Sequence, residues 1–201
     1  MNYQAIIFDL DGVLIDAELI YRRHWQNWAA RHEVSFDHIL KVHHGSPALR
    51  TMEMVAPHLD AISESRQFNR QLEGDMDMEG TFAFPGVEDV LSSLPVDRWA
   101  ITTSAPRKIA LARLAYLDLP TPAVLVAPED VLRGKPAPDP YLKAAKELGF
   151  AAEDCLVIED APAGIEGALA ARTQVLALAT THKQDDLLQA HVICTGIIVD
   201  Y

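Results

Sequence analysis

Six short apolar runs, separated by segments of helical periodicity, constrain the fold of this chain more than any other feature. The runs cover residues 4–10, 98–103, 123–127, 155–159, 174–179 and, more weakly, 191–194. Buried strands that alternate with amphipathic helices are typical of a parallel sheet covered by helices. We therefore predict an α/β fold with a parallel sheet at its centre.

Helices are predicted between these runs, and one long stretch departs from the alternation. The predicted helices cover residues 86–94, 107–117, 139–148 and 163–171. Residues 16–80 show helical periodicity without a convincing strand, and their inner segments 18–32 and 47–57 have the pattern of amphipathic helices. Residues 74–80 are predicted to be a flexible return to the sheet.

This organisation divides the chain into a core and an insertion. The 201 residues are enough for one well-buried domain with a modest insertion. We predict a Rossmann-like core formed by residues 1–15 and 81–201. We predict that residues 16–80 form a helical cap, inserted after the first strand.

Charge and composition exclude several classes of function. The net charge of −12 predicts repulsion of a nucleic acid, so no nucleic-acid partner is expected. Cys155 and Cys194 lie in apolar runs, which favours buried thiols over a disulfide or a metal pair. No stretch reaches 18 apolar residues and no secretory leader is evident, so we expect a soluble, cytoplasmic protein without a membrane partner. The oligomeric state is left open, and a monomer is compatible with the sequence.

Two carboxylates end the first predicted strand. Asp9 and Asp11 follow the apolar run and precede Gly12, and side chains two residues apart along a strand project to the same side. Open α/β sheets bind ligands at the carboxyl ends of their strands. Like charges so close together need a bridging cation or a shared proton, which suits a nucleophile or metal ligand beside a general acid. The alternative is a pair of turn or helix-capping residues.

Three later segments place polar residues at equivalent positions. Thr103 and Ser104 end a strand before a helix, where they can hold a phosphate or, for Ser104, simply cap the helix. Lys135 lies in a loop held by three prolines, where it is either solvated or directed at the acids. Glu159 and Asp160 end another strand, where Asp160 is either a Mg²⁺ ligand or a helix cap. Four polar segments in this order, each after a predicted strand, favour a functional site over four unrelated turns and helix caps.

The chain resembles the haloacid dehalogenase-like (HAD) hydrolases, in the branch with a helical cap after the first strand. The resemblance spans nearly the whole chain through the segments DLDGVLIDAE, FPGVEDVLSSL, AITTSAP, RGKPAPDPYL and VIEDAPAGIEGALAA. Within the family, the similarity is greatest to sugar phosphatases and to 2-deoxyglucose-6-phosphate and glycerol-phosphate phosphatases. It implies a Mg²⁺-dependent phosphatase whose substrate is a small phosphorylated metabolite, such as a sugar or polyol phosphate.

The resemblance also implies a role for each acid. Asp9 would be the nucleophile that forms an aspartyl-phosphate, and Asp11 would be the general acid and base. The Asp9 carboxylate, the Asp11 backbone carbonyl and Asp160 would hold Mg²⁺, with Glu159 nearby or bound through water.

The remaining implied roles concern the phosphate and the substrate. Thr103, Ser104 and Lys135 would hold the transferring phosphoryl group. His44 matches the cap His-Gly of the sugar phosphatases, which implies a contact with the substrate. Relatives often have a basic residue just after that glycine, whereas this chain offers only Arg50 a few residues on.

Three alternatives stay open beside the phosphatase. The first is a hexose-phosphate mutase similar to β-phosphoglucomutase, although residues 105–107 lack the Ser-Lys-Asn of those enzymes and Ala48 stands where they place an arginine. The second is a phosphometabolite sensor, which the intact acids disfavour. Dehalogenation is disfavoured because it does not need Asp11. One departure is local: relatives often have Ala-Ala-Gly where this chain has Ala171-Arg172-Thr173.

Overall fold

A six-stranded parallel sheet forms the centre of the protein. The computed structural model describes residues 3–74 and 78–196. The strands are β1 (Ala5–Phe8), β4 (Trp99–Thr102), β5 (Val124–Val126), β6 (Cys155–Glu159), β7 (Gln174–Leu178) and β8 (Val192–Cys194), in the order β5-β4-β1-β6-β7-β8. All six predicted strands are confirmed, and the fold is a Rossmann-like α/β fold.

Helices cover both faces of the sheet at the predicted places. They are α5 (Val87–Ser93), α6 (Arg107–Tyr116), α7 (Asp139–Leu148) and α8 (Pro162–Ala170). The strand β1 is a continuous apolar run because it is buried on both faces. Ile6 and Phe8 pack into the core on one face, and Ile7 packs into the core on the other. Cys155 is buried, Cys194 is half-buried, and both are free thiols.

Four helices lie between β1 and the rest of the sheet in sequence. They are α1 (Glu18–His32), α2 (Phe36–Leu40), α3 (Ala48–Val55) and α4 (Ala61–Gly74). Their own apolar core includes Trp25, Trp28, Met52 and Phe68. The first and third match the two predicted helices, whereas α2 and α4 were not predicted. The predicted flexible return, residues 74–80, is only partly described. Gly74 is the last residue of α4, and residues 78–80 form a turn, whereas residues 75–77 lie outside the described residues.

The insertion is joined to the core by a small second sheet. Strands β2 (Ile15–Asp16) and β3 (Phe82–Ala83) pair antiparallel, so the chain enters and leaves the insertion side by side. Two residues are too few to give a periodic pattern, which is why the sequence did not predict this sheet. The predicted limits of the cap, 16–80, fall at these strands and stay a prediction.

Two further features concern the absence of a membrane-spanning helix and the backbone after α8. Within the ranges that the structure describes, no helix is both long and apolar enough to cross a membrane. The cytoplasmic location stays a prediction. Arg172, which follows α8, adopts a left-handed conformation with φ of 65°, within the segment Ala171-Arg172-Thr173 that stands where relatives often have Ala-Ala-Gly. Because a side chain disfavours this conformation, the backbone is strained here.

Candidate active site

Three neighbouring strands end at one edge of the sheet and bring the predicted residues together. The strand β1 lies between β4 and β6, so Asp9, Thr103 and Asp160 all follow adjacent strands in parallel register. Backbone hydrogen bonds from Asp9 to Ile158 and from Thr103 to Val126 continue the ladders past the strand ends. The carboxyl edge of the sheet therefore holds the acids and hydroxyls that the sequence singled out.

Lys135 lies beneath this edge and joins two of the acids. Its side chain is 2 % exposed, and its Nζ donates to the carboxylates of Asp9 and Glu159, the latter at 2.5 Å. The Thr102 carbonyl oxygen lies 3.4 Å from the same nitrogen. Burial alone would lower the pKa of Lys135, but Asp9 and Glu159 outweigh it and raise that pKa well above the usual value. Lys135 is therefore a permanent cation beside Asp9.

Glu159 is fully buried and both of its carboxylate oxygens are occupied. Oε1 accepts from Lys135 and, at 2.7 Å, from the hydroxyl of Tyr141. Oε2 accepts from the backbone N–H groups of Asp160 and Ala161 at 3.1 and 3.4 Å. These contacts fit an anchor for Lys135, and the predicted ligation of a metal by Glu159 stays a prediction.

Asp160 presents an oxygen that has no protein partner. Its Oδ2 accepts from the hydroxyl of Thr181, whereas the buried Oδ1 has no hydrogen-bond partner among the described residues. Gly12 lies against this carboxylate with φ of 88°, and a Cβ there would overlap it. An unsatisfied buried carboxylate oxygen is costly, and a bound cation removes that cost.

The acids at this edge fit a hard divalent cation. One carboxylate oxygen each of Asp9, Glu159 and Asp160 lies within 4.8 Å of the others. Burial raises the pKa of Asp160 well above its usual value, with Glu159 and Asp9 adding to the rise. Burial likewise raises the pKa of Asp9, with Lys135 opposing. An all-oxygen donor set of this kind suits Mg²⁺.

Asp11 has a cationic partner that the sequence did not predict. Nη1 of Arg113 donates to both Asp11 oxygens at 2.8 and 3.0 Å, and the Arg113 side chain is 1 % exposed. The Tyr21 hydroxyl lies 3.4 Å from Asp11, and its ring lies 4.7 Å from the guanidinium carbon of Arg113. Burial raises the pKa of Asp11, with Arg113 opposing.

Comparison with known proteins identifies the family. A family model described as haloacid dehalogenase-like hydrolase matches residues 3–172. The chain belongs to this hydrolase family. Hexitol phosphatase A of Escherichia coli (strain K12) is 38% identical over 182 residues, which are 89% of this chain and 84% of that protein. Glycerol-1-phosphate phosphohydrolase 2 of Saccharomyces cerevisiae is 30% identical in an alignment 202 positions long, which covers 93% of this chain and 79% of that protein.

The fold of this HAD-like hydrolase is also shared with a mutase. β-Phosphoglucomutase of Clostridium difficile superposes with a TM-score of 0.76 at 19% identity, covering 96% of this chain and 91% of that structure. At this identity the likeness concerns the fold alone. The choice between hydrolysis and phosphoryl transfer to a sugar therefore depends on the residues of the site.

Thr103 and Ser104 lie in the wall between the sheet and the insertion. The Thr103 hydroxyl accepts from the backbone N–H of Ala105 at 3.0 Å, which fixes the turn before α6. The Ser104 hydroxyl donates to the carbonyl oxygen of Gly45 at 3.0 Å, so it contacts the insertion directly. Both residues line the cavity that also contains Asp9, Asp11 and Asp160.

The insertion contributes a polar wall that faces these acids. His44 donates from Nε2 to Glu18 Oε2 at 2.8 Å, and Nε2 of His43 lies 4.0 Å from the same oxygen. All three residues line the cavity. The structure does not bring Arg50 there: it is exposed on α3 and outside the residues that line the cavity, and its predicted contact with substrate stays a prediction.

The residues that the sequence missed lack a local pattern. Arg113 is 102 positions from Asp11, Tyr141 is 18 from Glu159, and Thr181 is 21 from Asp160. Arg113 lies within an ordinary helix and looks like any surface arginine in the sequence. It is buried against Asp11, which follows β1, and Tyr21 on α1. A single sequence gives no signal for such a contact.

Proposed function

We propose that the protein is a Mg²⁺-dependent phosphatase that hydrolyses sugar or polyol phosphates through an aspartyl-phosphate on Asp9. The observation that carries the proposal is the placement of Asp9 beside the buried Lys135 and close to Asp160, whose Oδ1 has no hydrogen-bond partner among the described residues. A carboxylate nucleophile needs its own charge and that of the phosphate neutralised. Lys135 does so from one side, and a cation held by Asp9 and Asp160 would do so from the other. The relatives that act on hexitol and glycerol phosphates support the substrate class.

The first half-reaction would use both aspartates. An oxygen of Asp9 attacks phosphorus, and the bond from phosphorus to the ester oxygen breaks with its electron pair going to that oxygen. Asp11 donates a proton to the leaving alkoxide, so the alcohol departs neutral. Lys135, with Thr103 and Ser104, would hold the phosphoryl oxygens during the transfer.

The second half-reaction would regenerate the enzyme. Asp11, now ionised, takes a proton from water as that water attacks the phosphorus of the aspartyl-phosphate. The bond between phosphorus and the Asp9 oxygen breaks, and inorganic phosphate is released. The insertion would limit the access of bulk water while the phosphoenzyme forms.

The residues present fit a magnesium ion. Asp9 and Asp160 would hold it through their carboxylates, and the backbone carbonyl of Asp11 would complete the protein ligands. When bound, Mg²⁺ supplies positive charge to the phosphoryl oxygens. Oδ1 of Asp160 is the specific support, because nothing else among the described residues satisfies it.

A hexose-phosphate mutase is the second candidate, because the fold is shared with β-phosphoglucomutase. A mutase must hold a sugar bisphosphate, so it needs cationic groups for the phosphate that does not react. None of the described residues that line the cavity is a lysine or an arginine. Lys135 lies behind Asp9, outside that lining, and already pairs with Asp9 and Glu159, so it is not available to a second phosphate. This composition favours the phosphatase.

The proposal is tested by following the phosphoryl group. Incubated with a ³²P-labelled sugar or polyol phosphate and Mg²⁺, the enzyme should release inorganic phosphate and carry label transiently. Asp9→Asn should carry none, and a chelator should stop turnover until Mg²⁺ is restored. Full activity in the chelator would contradict the mechanism. With β-glucose 1-phosphate and a bisphosphate primer, glucose 6-phosphate appearing faster than inorganic phosphate would favour the mutase.

A further inference from the structure

The wall opposite the acids has the composition of a hydroxyl-binding surface. Glu18 supplies carboxylate oxygens, and His43 and His44 supply imidazole nitrogens. The ring of Trp25 lines the same cavity and packs on that of Phe68, with the centroids 4.3 Å apart. Carboxylates and imidazoles exchange hydrogen bonds with alcohol groups, and aromatic faces cover the carbon-bound hydrogens between them.

His43 provides the observation that calls for a ligand. Its side chain is 4 % exposed, and its Nε2 has no hydrogen-bond partner among the described residues. The side chain lies between the rings of Trp25, at 6.3 Å, and His44, at 3.9 Å. A buried imidazole nitrogen without a partner is costly, and a substrate hydroxyl in the cavity would satisfy it.

The charges around this wall restrict what the substrate can carry besides its phosphate. Five acidic residues line the cavity: Asp9, Asp11, Asp16, Glu18 and Asp160. Arg22, a cation 3.6 Å from Glu18 and over the ring of Phe36, lies outside the residues that line the cavity. A carboxylate or second phosphate on the substrate would therefore meet negative charge in a partly desolvated place.

We infer that Glu18, His43 and His44 form a hydroxyl subsite that selects monophosphates with a neutral polyol or sugar body and rejects phosphorylated acids and bisphosphates. This inference rests on the proposed function and adds which residues read the substrate. Glu18 is the residue that carries the selection, because it both accepts hydrogen bonds from hydroxyls and repels anions.

Two substitutions separate recognition from chemistry. Glu18→Gln and His44→Ala should each lower kcat/KM on glycerol 1-phosphate or sorbitol 6-phosphate by about 10- to 100-fold, the range for lost hydrogen bonds to a charged group. On p-nitrophenyl phosphate, which has no hydroxyl to bind, kcat/KM should change less than about threefold, since the reacting groups are untouched. Glu53→Gln and His38→Ala are matched controls at exposed positions of the same insertion and should change neither value.

The anionic substrates give the sharper result. Phosphoglycolate and fructose 1,6-bisphosphate should be poor substrates of the wild-type enzyme, and Glu18→Gln should raise kcat/KM on phosphoglycolate while lowering it on the polyol phosphate. A purely structural role of Glu18 would raise neither, so opposite changes support the subsite. Equal losses on all substrates, or no change on any, would overturn it.

Two further outcomes are distinguishable. Hydrolysis of no phosphate ester by the wild-type enzyme would remove the proposed function itself, whereas normal hydrolysis with unchanged selectivity removes the subsite alone. Two histidines and a glutamate can also bind Zn²⁺. Metal analysis of the purified enzyme that finds one equivalent of zinc, lost in both Glu18→Gln and His44→Ala, would overturn the hydroxyl subsite in favour of a metal site.

Discussion

Replacing Arg113 by methionine should destabilise the protein through the carboxylate that it leaves behind. Removing one partner of a buried ion pair typically costs about 3–5 kcal/mol, because the other charge stays buried without compensation. Arg113 is 1 % exposed, but the Asp11 side chain keeps 25 % of its surface. Water therefore reaches the stranded carboxylate, and we expect a loss of about 2–3 kcal/mol of unfolding free energy, at or below the lower end of that range. Methionine keeps much of the aliphatic packing.

A double-mutant cycle isolates the electrostatic part. In an Asp11→Asn background the carboxylate is absent, so Arg113→Met should cost at least about 1 kcal/mol less than in the wild-type protein. Urea unfolding followed by far-ultraviolet circular dichroism gives the four free energies, and the three tryptophans provide a second probe. Arg107→Met is the control for a more exposed ion pair, since Arg107 lies on the same helix, pairs with Asp130 and has a side chain that is 41% exposed.

Two results would contradict a stabilising role of the ion pair between Arg113 and Asp11. An equal cost of Arg113→Met in both backgrounds would mean that Asp11 does not respond to its partner, and that the ion pair is an incidental contact. A loss no larger than that of Arg107→Met would lead to the same conclusion.

Three more predictions concern stability. Arg172→Gly should stabilise the protein by about 1 kcal/mol in urea unfolding, because glycine removes the strain of the left-handed backbone; no gain would contradict that strain. Gly164→Ala should cost about 1–3 kcal/mol by overpacking, because a Cβ there overlaps the Glu159 carboxylate, and an unchanged midpoint would refute the close contact. Burial, with His44 adding to it, lowers the pKa of His43 to about 3 from the ordinary value of 6.5. Below pH 6.5 the unfolded chain therefore protonates His43 while the folded chain does not. Between pH 7 and pH 5 the wild-type protein should lose about 2 kcal/mol more unfolding free energy than His43→Phe. Parallel pH profiles of the two proteins would contradict this.

The sequence predicted the parts of the molecule that repeat a local pattern. Four strands, β1, β4, β5 and β6, were found because their complete burial leaves continuous apolar runs, whereas the pattern of β8 is weaker because that strand is partly exposed at the sheet edge. The acids were found because they end two of those runs. Asp9, Thr103 and Asp160 share an edge because parallel strands must end together. Lys135 could be placed near them only through the resemblance to a family.

What the sequence did not predict depends on packing between distant segments. Arg113 on α6 meets Asp11 after β1 and Tyr21 on α1 at the same point, and no spacing in the chain predicts that contact. The resemblance implied that Glu159 lies near the metal, which stays a prediction, but no pattern in the sequence predicted its contacts with Lys135 and Tyr141. Arg50 looked suitable by its distance from Gly45 along the chain, but the turn of α3 leaves it exposed.

The paired strands β2 and β3 have a consequence for how specificity can change in this architecture. The chain leaves the sheet at Asp16 and returns at Phe82 through hydrogen-bonded neighbours, so the two junctions of the inserted helices are adjacent in space. The segment between β2 and β3 can therefore be replaced if this short pair of strands is preserved. The order and register of the large sheet do not depend on the inserted segment. Chimeras cut at this pair, carrying the inserted helices of another HAD-like hydrolase, should keep the strand-end chemistry and acquire the donor's choice of substrate. The inserted helices and the strand ends of the large sheet can thus be exchanged independently of each other.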